Sequence, residues 1–281
     1  MRKSVSLGLA MAITFSAFAQ QFVQRVGNEN ILNGIDVGVN SAPVFVDIDN
    51  DLDQDMFVGT GSGVVLFFRN TGNSAVPQLT LQNVQTNPLG SLNVGGSANL
   101  SFVDIDQDGD YDTFVGSRNG EIRFYRNEGT RQLANFNQEI IGNPLGQVLT
   151  EYQSSCSFVD IDGDLDMDVF VGGDFAIVAC YLNTGTPQNP IFILADDSVN
   201  PLQLIEPAAI FFPVFVDIDN DTDMDAILGS SGNSIEFYKN VGSKINPVFA
   251  RQTGTLNPFN LLNQAYSLLL LTLILTETLT R

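Results

Sequence analysis

The sequence contains no histidine and no tryptophan, and only two cysteines among 281 residues. Without histidine there is no imidazole to serve as a base near neutral pH and no Ser-His-Asp constellation. Zinc and copper, which favour His or Cys ligands, are poorly served as well. Without tryptophan the chain lacks the best aromatic platform for a sugar ring, which leaves Tyr125, Tyr181 and Tyr238 as candidates for that role. Cys156 and Cys180 cannot build a disulfide framework. Basic residues are also scarce, 12 Lys and Arg against 32 Asp and Glu, for a net charge of -20 and a pI near 4.1. That balance excludes nucleic acid as a partner, because its phosphates need basic side chains to neutralise them.

What is present instead is an aspartate ladder, Asp-x-Asp-x-Asp-x-Asp-x-Asp, written four times. Its members are Asp47, Asp49, Asp51, Asp53 and Asp55; Asp104, Asp106, Asp108, Asp110 and Asp112; Asp160, Asp162, Asp164, Asp166 and Asp168; and Asp217, Asp219, Asp221, Asp223 and Asp225. Successive ladders begin 57, 56 and 57 residues apart, a period that marks a repeat architecture. Twenty of the 32 acidic residues lie in the ladders, and the other twelve balance the 12 basic ones. The net charge therefore belongs to four short segments. Carboxylates crowded in this way raise one another's pKa values unless a cation sits among them. One ladder alone could be a solvated strand edge, since alternation places all five side chains on one face. Like charges on one face are destabilising, and four copies at one period point to bound metal.

Each ladder is entered through Phe-Val-Asp-Ile-Asp, at Phe45, Phe102, Phe158 and Phe215. Twelve residues after the first Asp stands Gly59, Gly116, Gly172 or Gly229, then Asn70, Asn127, Asn183 or Asn240 with a glycine two residues on. The segment before each Asn is rich in β-branched and aromatic residues, as in Ile122-Arg123-Phe124-Tyr125. A fourth strand is expected at 78–84, 136–141, 191–195 and 248–252, ahead of Asn-Pro turns at Asn87, Asn143, Asn200 and Asn257. With 44% hydrophobic residues the chain can bury a core. The expected fold is all-β: a β-propeller-like array of four blades of about 57 residues, each of four antiparallel strands, rather than a solenoid. Cys156 and Cys180 then lie on first and third strands of one blade. They occupy slots held elsewhere by Pro43, Leu100 and Pro213, and by Phe67, Phe124 and Phe237, which marks them as buried and structural. Two strand spacings, roughly 9.5 Å, would separate them, beyond the reach of a disulfide.

The ends carry further expectations. Arg2 and Lys3, an apolar stretch from Val5 to Phe18, and Ala17-Phe18-Ala19 have the form of a signal peptide over residues 1–19, with cleavage near Ala19 and a mature chain from Gln20. The stretch is too short and too interrupted for a membrane anchor, so the mature chain is expected to carry no span. Phe22 to Asn33 matches Phe249 to Asn260, as if the chain opened with the last strand of a blade. Such a strand can close a propeller and remove a sheet edge. A fifth ladder is due near residue 274, where residues 261–281 read as an apolar tail instead. The alternation Thr272, Ile274, Thr276, Thr278, Thr280 with Glu277 is compatible with an out-of-frame reading of a fifth Asp ladder. On that reading the array is truncated and open at one edge.

The run Phe-Val-Asp-Ile-Asp-x-Asp-x-Asp-x-Asp followed by Phe-Val-Gly resembles the FG-GAP or VCBS repeats, calcium-binding propeller blades, over most of residues 20–260. The resemblance implies side-chain ligands at ladder positions one, three, five and nine and a backbone carbonyl at seven. The chemistry of the donors independently favours Ca2+, up to four ions, since calcium takes six to eight oxygens at flexible geometry and magnesium prefers water. Only the second loop has the glycine that position six favours, Gly109; Leu52, Leu165 and Thr222 stand there in the others. Calcium is therefore expected to bind best between Asp104 and Asp112. An apolar side chain is expected to be buried at position eight, which suits Tyr111, Met167 and Met224 but not Gln54, so the first loop ranks last.

These features together lead to an expected function: an exported, secreted or cell-envelope module that binds structural calcium and meets an extracellular protein or glycan as a binding, adhesion or scaffold unit. No catalytic residue is expected. The alternative is an accessory domain or non-catalytic remnant of a secreted polysaccharide-active enzyme, because related blades occur in such enzymes.

Overall fold

The computed structural model describes residues 30–150, 152–173, 178–203, 212–229 and 235–260. The expected signal peptide, the opening strand before residue 30 and the apolar tail from 261 lie outside the described residues. Sixteen strands are seen, in four sheets of four. The first sheet holds β1 (Ala42–Val46), β2 (Asp55–Gly59), β3 (Val65–Asn70) and β4 (Leu79–Leu81). The second holds β5 (Asn99–Val103), β6 (Asp112–Gly116), β7 (Ile122–Asn127) and β8 (Phe136–Glu139). The third holds β9 (Ser155–Val159), β10 (Asp168–Gly172), β11 (Ala179–Asn183) and β12 (Phe192–Leu194). The fourth holds β13 (Phe212–Val216), β14 (Asp225–Gly229), β15 (Ile235–Asn240) and β16 (Phe249–Gln252).

Every sheet is an antiparallel meander in chain order, and the four blades form a propeller arrangement, as expected. No helix among the described residues is long and apolar enough to cross a membrane. The register repeats: Val46 pairs with Asp55, Val103 with Asp112, Val159 with Asp168 and Val216 with Asp225, so the first and ninth ladder residues sit at the loop end of the β1–β2 type of hairpin. The second strand is buried along its whole length in every blade. This is the position a central strand takes when both faces of its sheet are covered by neighbours.

Blades pack face to face through aromatic side chains. Phe57 meets Phe102 of the next blade at 4.9 Å between ring centroids, Phe114 meets Phe158 at 4.8 Å, and Phe170 meets Phe215 at 4.6 Å. Within blades 1 and 2 the same rings stack on Phe67 and Phe124; in blade 3 Cys180 takes that slot. The first strands of successive blades, β1, β5, β9 and β13, adjoin one another and line a largely apolar axial cavity of about 350 Å³. The faces at the two ends of the array hold separate clusters. One joins Met56, Val58 and Phe68 to Leu32, Ile35 and Val37, and the other joins Val216, Ile227 and Phe237 to Phe259. No core cluster joins blade 4 to blade 1 among the described residues.

Local order in each blade depends on asparagine. The side chain of Asn87 donates to the Val65 carbonyl and accepts from the Leu89 N–H, and Asn143, Asn200 and Asn257 repeat both bonds in their own blades. Asn30 accepts from Leu32 in the same way, so the sequence match between 22–33 and 249–260 extends to structure where it is described. The glycine after each third strand is required by close approach: a Cβ on Gly72 would lie 2.2 Å from the Val76 carbonyl oxygen.

Candidate metal centres

Each acidic ladder leaves the first strand of its blade and turns back into the second. Positions four and six, counted from the first Asp, carry positive φ in every copy: Asn50, Gln107, Gly163 and Asn220 at four, Leu52, Gly109, Leu165 and Thr222 at six. The segment is therefore a loop and not an extended edge. The left-handed backbone at position six is adopted even where Leu or Thr stands there, at the steric cost such residues carry. Leu52 and Leu165 are both largely exposed.

The five carboxylates of a ladder fall into three groups. Those at positions one, three and five come together, with one oxygen from each within 4.8 Å of the others, in all four loops. These triads are Asp47, Asp49 and Asp51; Asp104, Asp106 and Asp108; Asp160, Asp162 and Asp164; and Asp217, Asp219 and Asp221. Position one also ties the loop: Asp47 accepts from the Asp51 and Leu52 N–H groups at 3.1 Å each, and Asp217 from Asp221 and Thr222 at 3.0 and 2.9 Å. In the third loop Asp160 instead accepts from Gly163 at 2.7 Å.

Position seven is buried. Asp53, Asp110, Asp166 and Asp223 each donate their backbone N–H to the position-five carboxylate, and the Oδ1 of each is buried without a hydrogen-bond partner. Position nine opens the second strand and works on the fold. Asp55, Asp112, Asp168 and Asp225 accept from the backbone N–H of Asn70, Asn127, Asn183 and Asn240 at 2.6, 2.7, 2.8 and 2.8 Å. Asp55 keeps its second oxygen unpartnered, whereas Asp168 turns its own to the Ile161 N–H. The resemblance implied side chains at one, three, five and nine; the structure brings one, three and five together and also presents a bare oxygen from seven.

Burial, reinforced by the neighbouring carboxylates, pushes Asp53 and Asp166 up to about 6. Burial also pushes Asp55, Asp112 and Asp168 up to about 7, against the lowering effect of the asparagine N–H bonds. Mutual repulsion was expected to raise these groups; desolvation proves the larger cause. Bare, buried, oxygen-only donors of this kind fit a hard divalent cation, which would restore the ionised form. No thiolate competes: burial pushes Cys180 up to about 12, with Asp168 and Asp162 adding to the shift, and raises Cys156 as well.

Basic side chains that sequence reasoning missed stand directly before the landmark asparagines. Arg69 pairs with Asp49 at 2.7 Å, Arg126 pairs with Asp106, and Lys239 pairs with Asp219 and, at 3.3 Å, with Asp221. The signal was available in the aligned repeats, where Arg, Arg, Leu and Lys precede Asn70, Asn127, Asn183 and Asn240. In the third loop, Lys244 of blade 4 pairs with Asp160 at 3.3 Å.

Two expectations are corrected. Position eight is not an apolar anchor: Tyr111, Met167 and Met224 are exposed while Gln54 is half-buried, so the ground for ranking the first loop last is removed. Tyr125, Tyr181 and Tyr238 do not form a sugar platform, because they pack into the cores between blades. The aromatic ring that does lie near the surface with a cation over it is Tyr152, 5.3 Å from the Arg118 guanidinium.

A family model described as FG-GAP-like repeat matches residues 104–171. No curated protein matches the sequence. Among solved structures, one described by the specific recognition of non-reducing terminal N-acetylglucosamine by an Agrocybe aegerita lectin is similar, with a TM-score of 0.43 and 18% identity. The alignment covers 75% of this chain and 51% of that one, so the chain spans about half the lectin's length. Residues 104–171 are thus similar to an FG-GAP-like repeat, and the ladder, register and asparagine bonds of that segment recur in the other blades.

Proposed function

We propose that the protein is an exported calcium-binding β-propeller module, which acts without catalysis as a binding, adhesion or scaffold unit for an extracellular protein or glycan. The observation that carries the calcium reading is a carboxylate triad followed, two residues on, by a bare, buried Oδ1 at position seven, repeated in all four loops. The residues that would hold the ions are the triads with Asp53, Asp110, Asp166 and Asp223. Asp55, Asp112, Asp168 and Asp225 stand at the same loops as further oxygen donors. Bound calcium would neutralise the ladders and lock each loop between its first and second strands, so the ion acts on the fold.

Export is supported by the leader-like first nineteen residues and by the typically extracellular setting of FG-GAP repeats. The absence of histidine from the sequence and the recurrence of the same polar set in every blade favour binding over chemistry. Thermal unfolding tests the calcium reading directly. A ligand that binds only the folded state stabilises it by mass action, so calcium, at up to millimolar levels, should raise Tm and EDTA should lower it. A melting curve indifferent to both would remove calcium from the account. Pull-down from cell-surface material with and without calcium then tests the binding role.

A further inference from the structure

The four loops share a backbone but differ in charge. In the first, second and fourth, a basic side chain at the end of the third strand lies on the position-three carboxylate: Arg69 on Asp49, Arg126 on Asp106 and Lys239 on Asp219. In the third, Leu182 occupies that place, and Asp162 has no basic partner among the described residues. Its triad of Asp160, Asp162 and Asp164 and the bare, buried Oδ1 of Asp166 are otherwise complete. We infer that the residue before the strand-end asparagine sets the affinity of each loop for a divalent cation, which makes the Asp160–Asp168 loop the tightest site and the Asp217–Asp225 loop, with Lys239 on two triad members, the weakest.

This inference rests on the calcium reading above and reverses the order expected from glycine alone. Positive φ at position six is common to all four loops whichever residue stands there, so its strain is a cost of folding and does not separate their affinities. A resident cation, in contrast, opposes an incoming one directly. A unit positive charge roughly 6 Å from a divalent ion lowers its affinity about tenfold even at the dielectric constant of water. Lys244 does not replace the missing arginine. It reaches position one, Asp160, at 3.3 Å from a turn of the next blade, and leaves the position-three carboxylate of Asp162 without a basic partner among the described residues.

Calorimetric titration of the full chain, stripped of metal, with calcium chloride reads the sites by affinity class. Asp164→Ala should abolish the tightest class and Asp108→Ala should leave it intact. Leu182→Arg should weaken the tightest class about tenfold, and Arg126→Leu should strengthen one of the weaker classes by a similar factor. Leu182 packs against the core between blades 3 and 4, so Arg126→Leu is the variant that keeps the test decisive if Leu182→Arg unfolds. If calcium binds but Asp164→Ala spares the tightest class, or Arg126→Leu changes nothing, this inference is overturned and the calcium reading stands. Absence of binding in the wild type overturns both.

Discussion

The backbone N–H of Asn127 donates to Asp112 Oδ1 at 2.7 Å, which joins the ninth residue of the acidic ladder to the end of β7. Asn127 in turn accepts from Gly129 and Asn135, so one carboxylate and one amide fix the turn into β8. The last Asp of the ladder is thereby a structural residue as well as a candidate ligand.

Its removal should be felt without calcium. Asp112→Ala would leave a buried N–H unpaired, at a cost of about 1–3 kcal/mol. Urea unfolding of the stripped protein should show that loss for Asp112→Ala and less than about 1 kcal/mol for Asp108→Ala, whose carboxylate is exposed. Equal losses would show that the two positions are not divided in role.

The pH dependence of the stripped protein should run against habit. Asp55, Asp112 and Asp168 are pushed up to about 7 by burial, and an unfolded Asp titrates at about 3.9. Between those values the folded chain holds more protons than the unfolded one, so stability falls as pH rises through the window. Melting in EDTA should be highest near the acid end and decline towards pH 7. The calcium-induced gain in Tm should do the opposite, because the ion must displace those protons.

Cys156 and Cys180 should be recovered as two free thiols when the denatured, unreduced protein is labelled. They lie on opposite faces of one sheet: Cys156 pairs with Val171 and joins the core towards blade 2, while Cys180 pairs with Phe170 and joins the core towards blade 4. In the native protein both should resist labelling, since buried thiols stay protonated. A single disulfide in intact protein would contradict the register of blade 3.

Leu52→Gly and Leu165→Gly should each stabilise the protein by up to about 1 kcal/mol, the left-handed penalty less the entropy glycine costs. Both side chains are largely exposed, so little burial is lost. Leu52→Ala is the control, since alanine shares the penalty; a gain there as large as for glycine would place the effect elsewhere.

Much of this architecture was legible in the residue pattern. The Phe-Val-Asp-Ile-Asp runs, the Gly and Asn landmarks and the 57-residue period predict four-stranded blades because each local choice agrees with the next. The strands fall where expected, although the fourth are shorter, as at Leu79–Leu81 and Phe192–Leu194. The roles within a ladder were not legible. Alternation alone places Asp47 to Asp55 on one face, and only the positive φ at Asn50 and Leu52 separates them into a triad, a buried bare oxygen and a strand tie.

By itself the sequence determined the donor chemistry and the repeat: oxygen ligands without histidine, charge concentrated in four loops, and strands whose side-chain period suits packed blades. Packing between distant segments decided the rest. Tyr125 and Tyr238 are core residues because a neighbouring blade covers them, and Arg69, Arg126 and Lys239 meet the acidic loops because antiparallel pairing returns the end of the third strand to the start of the second. Contacts of this kind depend on which faces meet in space, and a one-dimensional pattern records only which residues are available to meet.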